Sequence, residues 1–253
     1  MPALPSPAPD AHLIEIFSSI QGEGPWVGVR QIFIRFGGCN WACSYCDTGV
    51  EALEYCKVEK DPGSGKFKDV ANPVSLSFVA ELVASWKVVH PRAYHSISLT
   101  GGEPLIHEHV LLEWLPKLRE FLPIYLETNG TLPETLKKFI PHLDFIAMDI
   151  KLSTVTGMPT PWDDHRRFLE LAAHSRCCVK VVVGRATSED ELIRAASMVR
   201  TVAPETVLVL QPLSAKGKVT IPADKLLRMQ ELAAGIHGDV RVIPQNHHIL
   251  KLL

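Results

Sequence analysis

The sequence predicts an α/β fold, an incomplete and modified (β/α)6-type barrel. Apolar strand-like runs alternate with amphipathic helical stripes along most of the 253 residues, the pattern of a parallel sheet with helices packed outside it. About six such units follow one another, short of the eight of a closed barrel. Chemically unusual residues also recur just after each strand, where folds of this class gather ligands.

The elements can be taken in order. Residues 1–12, Met-Pro-Ala-Leu-Pro-Ser-Pro-Ala-Pro-Asp-Ala-His, are Pro-rich, lack Lys, Arg and an apolar core, and read as a flexible tail rather than a signal peptide. Residues 13–253 then form a single domain, large enough to bury a full core without staples. Leu13 to Phe17 is a short strand leading into Ile20-Gln21-Gly22-Glu23-Gly24, where glycines let a ligand approach the backbone. Ile32 to Phe36 is a second strand. The polar stretch 49–75 reads as an excursion or flap interrupting the pattern.

Regular alternation follows. A stripe of Phe78, Val79, Leu82, Val83 and Trp86 is a helix; Ser96 to Thr100 a strand; 106–121 a helix that Pro116 should kink. Pro123 to Thr128 and Phe145 to Ile150 are strands around a short helix opened by Pro133. Trp162 to His174 is a helix and Val179 to Val183 a β-branched strand. Ser188-x-x-Glu191 forms a capping box ahead of the next helix. Thr206 to Leu210, a helix from Ala223 to Ile236, and Val240 to Pro244 complete the series.

Composition excludes some classes of function. A net charge of −2 with scattered Lys and Arg leaves no basic stripe for a phosphate backbone, so nucleic acid is not an expected partner. No run approaches the ~20 apolar residues of a membrane span. Six cysteines in 253 residues is too sparse for a disulfide framework, and a cytoplasmic setting is expected.

The chemistry centres on Cys39, Cys43 and Cys46, at C-x3-C-x2-C spacing just after the second strand. Three thiolates on one loop can hold three corners of a [4Fe-4S] cube and leave the fourth iron open to a small molecule. Close cysteines also make structural zinc sites, with Cys56, His247 or His248 as a fourth ligand. Zinc, however, needs neither a glycine pair nor polar strand ends. Both are present: Thr100-Gly101-Gly102-Glu103-Pro104, Glu127-Thr128-Asn129-Gly130, Asp149-Ile150-Lys151, Gln211-Pro212 and Gln245-Asn246-His247. The glycines expose peptide groups to a ligand's ammonium, and Glu103 adds negative charge. Arg35 alternates with apolar neighbours on the cluster strand, so an inward guanidinium implies an anionic substrate, unless a structural Glu15 or Glu23 pairs with it. Lys180 poses the same question.

The cysteine loop, with Tyr45 before its last Cys, and the Gly-Gly-Glu-Pro element together resemble the radical S-adenosylmethionine enzymes. The segments Gln21-Gly22-Glu23-Gly24, Phe33-Ile34-Arg35, Cys46-Asp47-Thr48 and Pro244-Gln245-x-His247 resemble more narrowly the 7-carboxy-7-deazaguanine synthase family, over residues 13 to 250. The resemblance implies a homodimeric lyase that binds a [4Fe-4S] cluster, S-adenosyl-L-methionine and Mg²⁺ and draws electrons from a donor such as flavodoxin or ferredoxin. It implies conversion of 6-carboxy-5,6,7,8-tetrahydropterin to 7-carboxy-7-deazaguanine with loss of ammonia, on the route to queuosine and other 7-deazapurines. Carried over by position, Ile20, Gln21, Gly22, Arg35, Thr100 and His247 meet the pterin. Tyr45, Cys46, Asp47, Gly101, Gly102, Glu103, Asn129, Asp149, Lys151 and Gln211 surround the cosubstrate, and Thr48 binds Mg²⁺. No side chain is assigned as the catalyst, because the cofactor delivers the radical. The other readings are a glycyl-radical-enzyme activase, which has no evident use for Arg35, and a non-catalytic zinc or electron-transfer module.

Overall fold

The computed structural model describes residues 8–46, 53–215 and 217–252. Strands β1 (Leu13–Ile20) and β2 (Arg30–Phe36) pair antiparallel, with Phe17 opposite Phe33 and their rings stacked 5.0 Å apart. What the sequence presents as an excursion is, over its described part, a hairpin of β3 (Tyr55–Glu59) and β4 (Phe67–Ala71). Strand β3 runs parallel to β1 and extends the sheet. The turn between the two is organised by Glu59, whose buried carboxylate accepts from the amides of Ser18, Gly63 and Gly65. A buried acid ringed by N–H donors fixes a polar loop that hydrophobicity alone does not specify.

Helix α1 (Leu76–Val89) starts where Ser75 Oγ accepts from the Phe78 amide, and it buries Val79, Val83 and Trp86. Then come β5 (Tyr94–Gly101), a 3₁₀ turn (Pro104–Ile106) and α2 (Glu108–Arg119), which runs through Pro116. Next are β6 (Ile124–Thr128), α3 (Pro133–Phe139), β7 (Phe145–Ile150), a one-turn α4 (Ser153–Thr156) and α5 (Trp162–Ala172). Strand β8 (Arg176–Val183), α6 (Glu189–Val202) and β9 (Val207–Pro212) follow. A small hairpin, β10 (Ser214–Ala215) and β11 (Lys218–Val219), precedes α7 (Ala223–Ala234), β12 (Val240–Val242) and α8 (Asn246–Leu250). The sequence did not signal α4, the small hairpin or α8.

The main sheet runs β12-β9-β8-β7-β6-β5-β2-β1-β3-β4, parallel from β2 to β12. Helices cover its outer face through Trp114, Phe139, Phe168, Leu192 and Val199, all fully buried. Strands β1, β2 and β5–β9 all send inward side chains into one cavity, so the sheet curls into a partial barrel. Near the strands' amino ends the inward layer is apolar. Trp26, from the β1–β2 loop, packs edge-on against Tyr125 and Phe145, 5.5 and 5.3 Å away between ring centres, and touches the cluster of Cys178, Val207 and Val209. Near the carboxyl ends the inward layer turns polar, with Glu127, Asp149, Lys180 and Gln211.

Two expectations change in detail. The end of the tail is tied down: the Pro9 carbonyl accepts from Trp114 Nε1, and Ala11 bridges to Val74. The capping box is half formed. Ser188 Oγ accepts from the Glu191 amide, but the Glu191 carboxylate turns to Ser153 and Thr154 and braces α4 against α6. No helix of the described residues is long and apolar enough to cross a membrane.

Candidate active site

The cavity measures about 620 Å³ and is lined by Cys39, Cys43 and Cys46 together with the strand ends. The glycine pair explains how the cysteine loop is held there. Gly102 N donates to Phe36 O at 3.1 Å and Glu103 N to Gly38 O at 2.9 Å. A Cβ on Gly102 would stand 1.8 Å from Gly38 O, and one on Gly101, whose φ is +121°, 2.2 Å from Phe36 O. The pair therefore lets the end of β5 and the cysteine loop meet backbone to backbone. Ser44 fastens the loop from its other side, donating through N to Thr156 O and through Oγ to Val155 O.

Glu103 differs from its expected role. It is fully buried and turned away from the cavity, accepting from Leu105 N, Asn129 N and Thr128 Oγ1. It joins the loops after β5 and β6, and burial pushes its carboxyl up to about 7. Asn129 lines the cavity, but its amide is saturated by protein atoms, as described below. Asp47 and Thr48 lie outside the described residues.

Cavity-facing charges form one chain of contacts. Gln245 Nε2 donates to Glu23 Oε1 (3.0 Å), Lys180 Nζ to Glu23 Oε2 (2.5 Å), and Lys180 also lies 3.5 Å from Asp149 Oδ2. Lys151 Nζ donates to the same Asp149 oxygen at 2.8 Å and to the Tyr45 hydroxyl at 3.3 Å. Burial opposes the charge of both lysines, yet the neighbouring carboxylates raise their pKa values above the usual range. For Glu23 burial acts upward, but Lys180 and Gln245 outweigh it and hold the carboxyl down at about 2. Glu23, Lys151 and Lys180 are thus charged at neutral pH. The sequence named Glu23 only as a possible partner of Arg35 and gave Lys180 no site role; the β7–β8 register, which sets Lys180 opposite Asp149, is what places it.

A second network surrounds Gln21. Its Nε2 donates to Gln31 Oε1 and Glu127 Oε1, and its Oε1 accepts from Glu23 N. Glu127 also accepts from Ser98 Oγ and Thr100 Oγ1 and lines the cavity; the sequence placed it at a strand end without assigning it a site role. Arg35 meets both of its readings: Nε donates to Glu15 Oε1 at 2.8 Å, and the side chain also lines the cavity. Helix α8 closes over Gly22. Asn246 N donates to Gly22 O, and a Cβ on Gly22 would lie 2.2 Å from His247 Nδ1, so only glycine admits the His247 ring. Ile20, Gly22, Thr100, His247, Tyr45 and Gln211 all line the same cavity.

The donor set fits the predicted groups. Burial pushes the Cys39 and Cys43 thiols up, so iron, by its own charge, would deprotonate them on binding. Among the described residues no three His, Cys, Asp or Glu side chains converge to hold a single ion; Cys56 is fully buried in β3 and does not line the cavity. Two buried acceptors on cavity-lining residues, Asp149 Oδ1 and Gln211 Oε1, lack a protein partner among the described residues. Orphaned acceptors suit a ligand rich in hydroxyl and amino donors, as a nucleoside is.

Comparison with known proteins agrees. Residues 33–199 match the Radical SAM superfamily. The 7-carboxy-7-deazaguanine synthase of Geobacter sulfurreducens is 47% identical over 245 residues, 96% of this chain and 98% of that protein. The protein of the same name from Archaeoglobus fulgidus is 33% identical over 246 residues, 95% and 98% of the two chains. The crystal structure of QueE from Escherichia coli is similar in fold, with a TM-score of 0.58 at 21% identity over 93% of this chain and 94% of that one. With this identity along nearly its whole length, the chain belongs to the 7-carboxy-7-deazaguanine synthase family of the radical SAM superfamily.

Proposed function

We propose that the protein is the lyase that converts 6-carboxy-5,6,7,8-tetrahydropterin to 7-carboxy-7-deazaguanine with loss of ammonia, in 7-deazapurine (queuosine) biosynthesis. The observation that carries this is one cavity containing both the cysteine trio and a polar wall of Arg35, Gln21 and Glu127. Its size is within the range of small-molecule sites.

In this reading Cys39, Cys43 and Cys46 hold the cluster, and Tyr45, Gly101, Gly102, Asp149, Lys151 and Gln211 surround S-adenosylmethionine. When bound, the two would supply radical chemistry at the substrate. The protein supplies position and electrostatics. Arg35 neutralises the substrate carboxylate. Glu127, held by Gln21, Ser98 and Thr100, offers a fixed acceptor to ring N–H groups. Helix α8 and His247 cover the substrate and exclude water. Thr48 contributes a hard oxygen to Mg²⁺. A small electron-transfer protein such as flavodoxin or ferredoxin would be the electron donor, and the enzyme acts as a cytoplasmic homodimer.

The test is anaerobic. Reconstituted protein with dithionite and S-adenosylmethionine should yield 5′-deoxyadenosine and consume the pterin only with Mg²⁺ present. Cleavage of the cosubstrate with the pterin untouched would point to another radical reaction.

A further inference from the structure

Three polar side chains beside Cys39 form a closed ring of hydrogen bonds. Asn40 Nδ2 donates to Thr131 Oγ1 (2.8 Å), Thr131 Oγ1 to Asn129 Oδ1 (2.6 Å), and Asn129 Nδ2 to Asn40 Oδ1 (2.8 Å). Each group both gives and receives, so the bonds polarise one another in one direction. The amide orientation of Asn129 is fixed by chemistry: the Thr131 backbone N–H, which can only donate, points at Oδ1 from 3.1 Å.

The second N–H of Asn129 Nδ2 is then directed at Cys39 Sγ, 3.9 Å away. The Trp41 amide donates to the same sulfur at 3.3 Å. All four hydrogen-bonding positions of the Asn129 side chain are thus taken by Asn40, Cys39 and the two Thr131 donors. Its backbone is fixed as well, by the buried Glu103. Asn129 has no donor left for a nucleoside. It instead connects the loop after β6 to Cys39, whose sulfur receives both contacts.

We propose that the Asn40–Asn129–Thr131 ring is a positioning device for the iron–sulfur cluster, locking Cys39 and raising the cluster's reduction potential by keeping an amide proton on its sulfur. Hydrogen bonds to cluster sulfurs favour the reduced, more negative state, and removing them lowers the potential. The proposal rests on the radical reading of the site. It goes beyond that reading by assigning Asn129 to the cluster and by giving Thr131, which does not line the cavity, a role in tuning it.

The experiment is a potentiometric titration of the reconstituted full-length protein, followed by electron paramagnetic resonance of the reduced cluster. Iron per chain is measured in parallel. Thr131→Val breaks the ring with little change in volume, and Thr131→Ser keeps the hydroxyl. We expect Thr131→Val to retain iron, shift the midpoint potential downward and change the signal shape, with Thr131→Ser returning both to wild type. Asn129→Ala should shift the potential further in the same direction. If Asn129→Ala fails to take up iron, the Val and Ser pair at 131 decides. Wild-type potential and signal in Thr131→Val overturn the proposal while leaving the synthase reading intact. A wild-type protein with no reduced-cluster signal overturns both.

Discussion

Lys180 Nζ lies 2.5 Å from Glu23 Oε2, although 157 positions separate the two residues in the chain. Both side chains are about four-fifths buried, and Asp149 stands beside the lysine on the neighbouring strand. One ammonium thus holds two carboxylates inside the barrel. It links the glycine loop after β1, and through Gln245 the start of α8, to the strand ends near the cysteines.

Removing that ammonium should leave the Glu23 carboxylate poorly solvated with only the neutral Gln245 amide as its side-chain donor among the described residues, while Asp149 keeps Lys151. Lys180→Met is expected to cost about 3–5 kcal/mol of stability, the usual penalty for breaking a buried pair from one side. Adding Glu23→Gln to the same chain should recover part of it. Urea denaturation of the apoprotein, arranged as a double-mutant cycle, measures this coupling; strict additivity would show that the pair acts independently.

Gly102→Ala is expected to abolish stable cluster assembly. Its Cβ would meet a backbone oxygen, Gly38 O, at 1.8 Å, and no side-chain rotation relieves that clash. Iron and sulfide analysis after anaerobic reconstitution should fall well below the wild-type content. A full complement would mean that the two loops separate easily.

A pH dependence follows from His165. It is fully buried, its Nδ1–H donates to Gly130 O, and its Nε2 accepts from Lys151 N, so it joins two strand-end loops as a neutral ring. Burial pushes its pKa down from 6.5 to about 4. Between these values the unfolded chain binds the extra proton, so stability is complete above about 6.5 and falls as the pH drops toward 4. The loss reaches about 3 kcal/mol. His165→Gln should flatten the apoprotein's denaturation midpoint over this window, and an unchanged slope would assign it to other groups.

Arg35→Ala should weaken pterin binding roughly ten- to a hundredfold, the range of a lost charge-assisted hydrogen bond. Iron content and the uncoupled cleavage of S-adenosylmethionine should stay near wild type. Because Arg35 also pairs with Glu15, a variant that loses the cluster or the fold would mean that the internal pair is its main role.

Much of the architecture is legible from local pattern. The cysteine spacing, the glycine pair and the polar triplets after each strand all lie within short stretches, and apolar periodicity separates strand from helix. What the sequence did not specify shares a cause in long-range contacts. The hairpin of β3 and β4 is polar and turn-rich, and it becomes part of the sheet through β1 and through Glu59 reaching Ser18. Helix α8 is only five residues long, and its place comes from the bare backbone of Gly22.

The sequence by itself determined the barrel class, the three thiols and the set of polar residues gathered at the strand ends, because each depends on neighbours a few positions apart. Only the tertiary structure decided how those residues are used. It turned Glu103 away from the cavity, closed the amide of Asn129 within a ring and paired Lys180 with Glu23. Alternation shows which side chains share a face of a strand, but the partner each one meets depends on strand order and on how far the sheet curls.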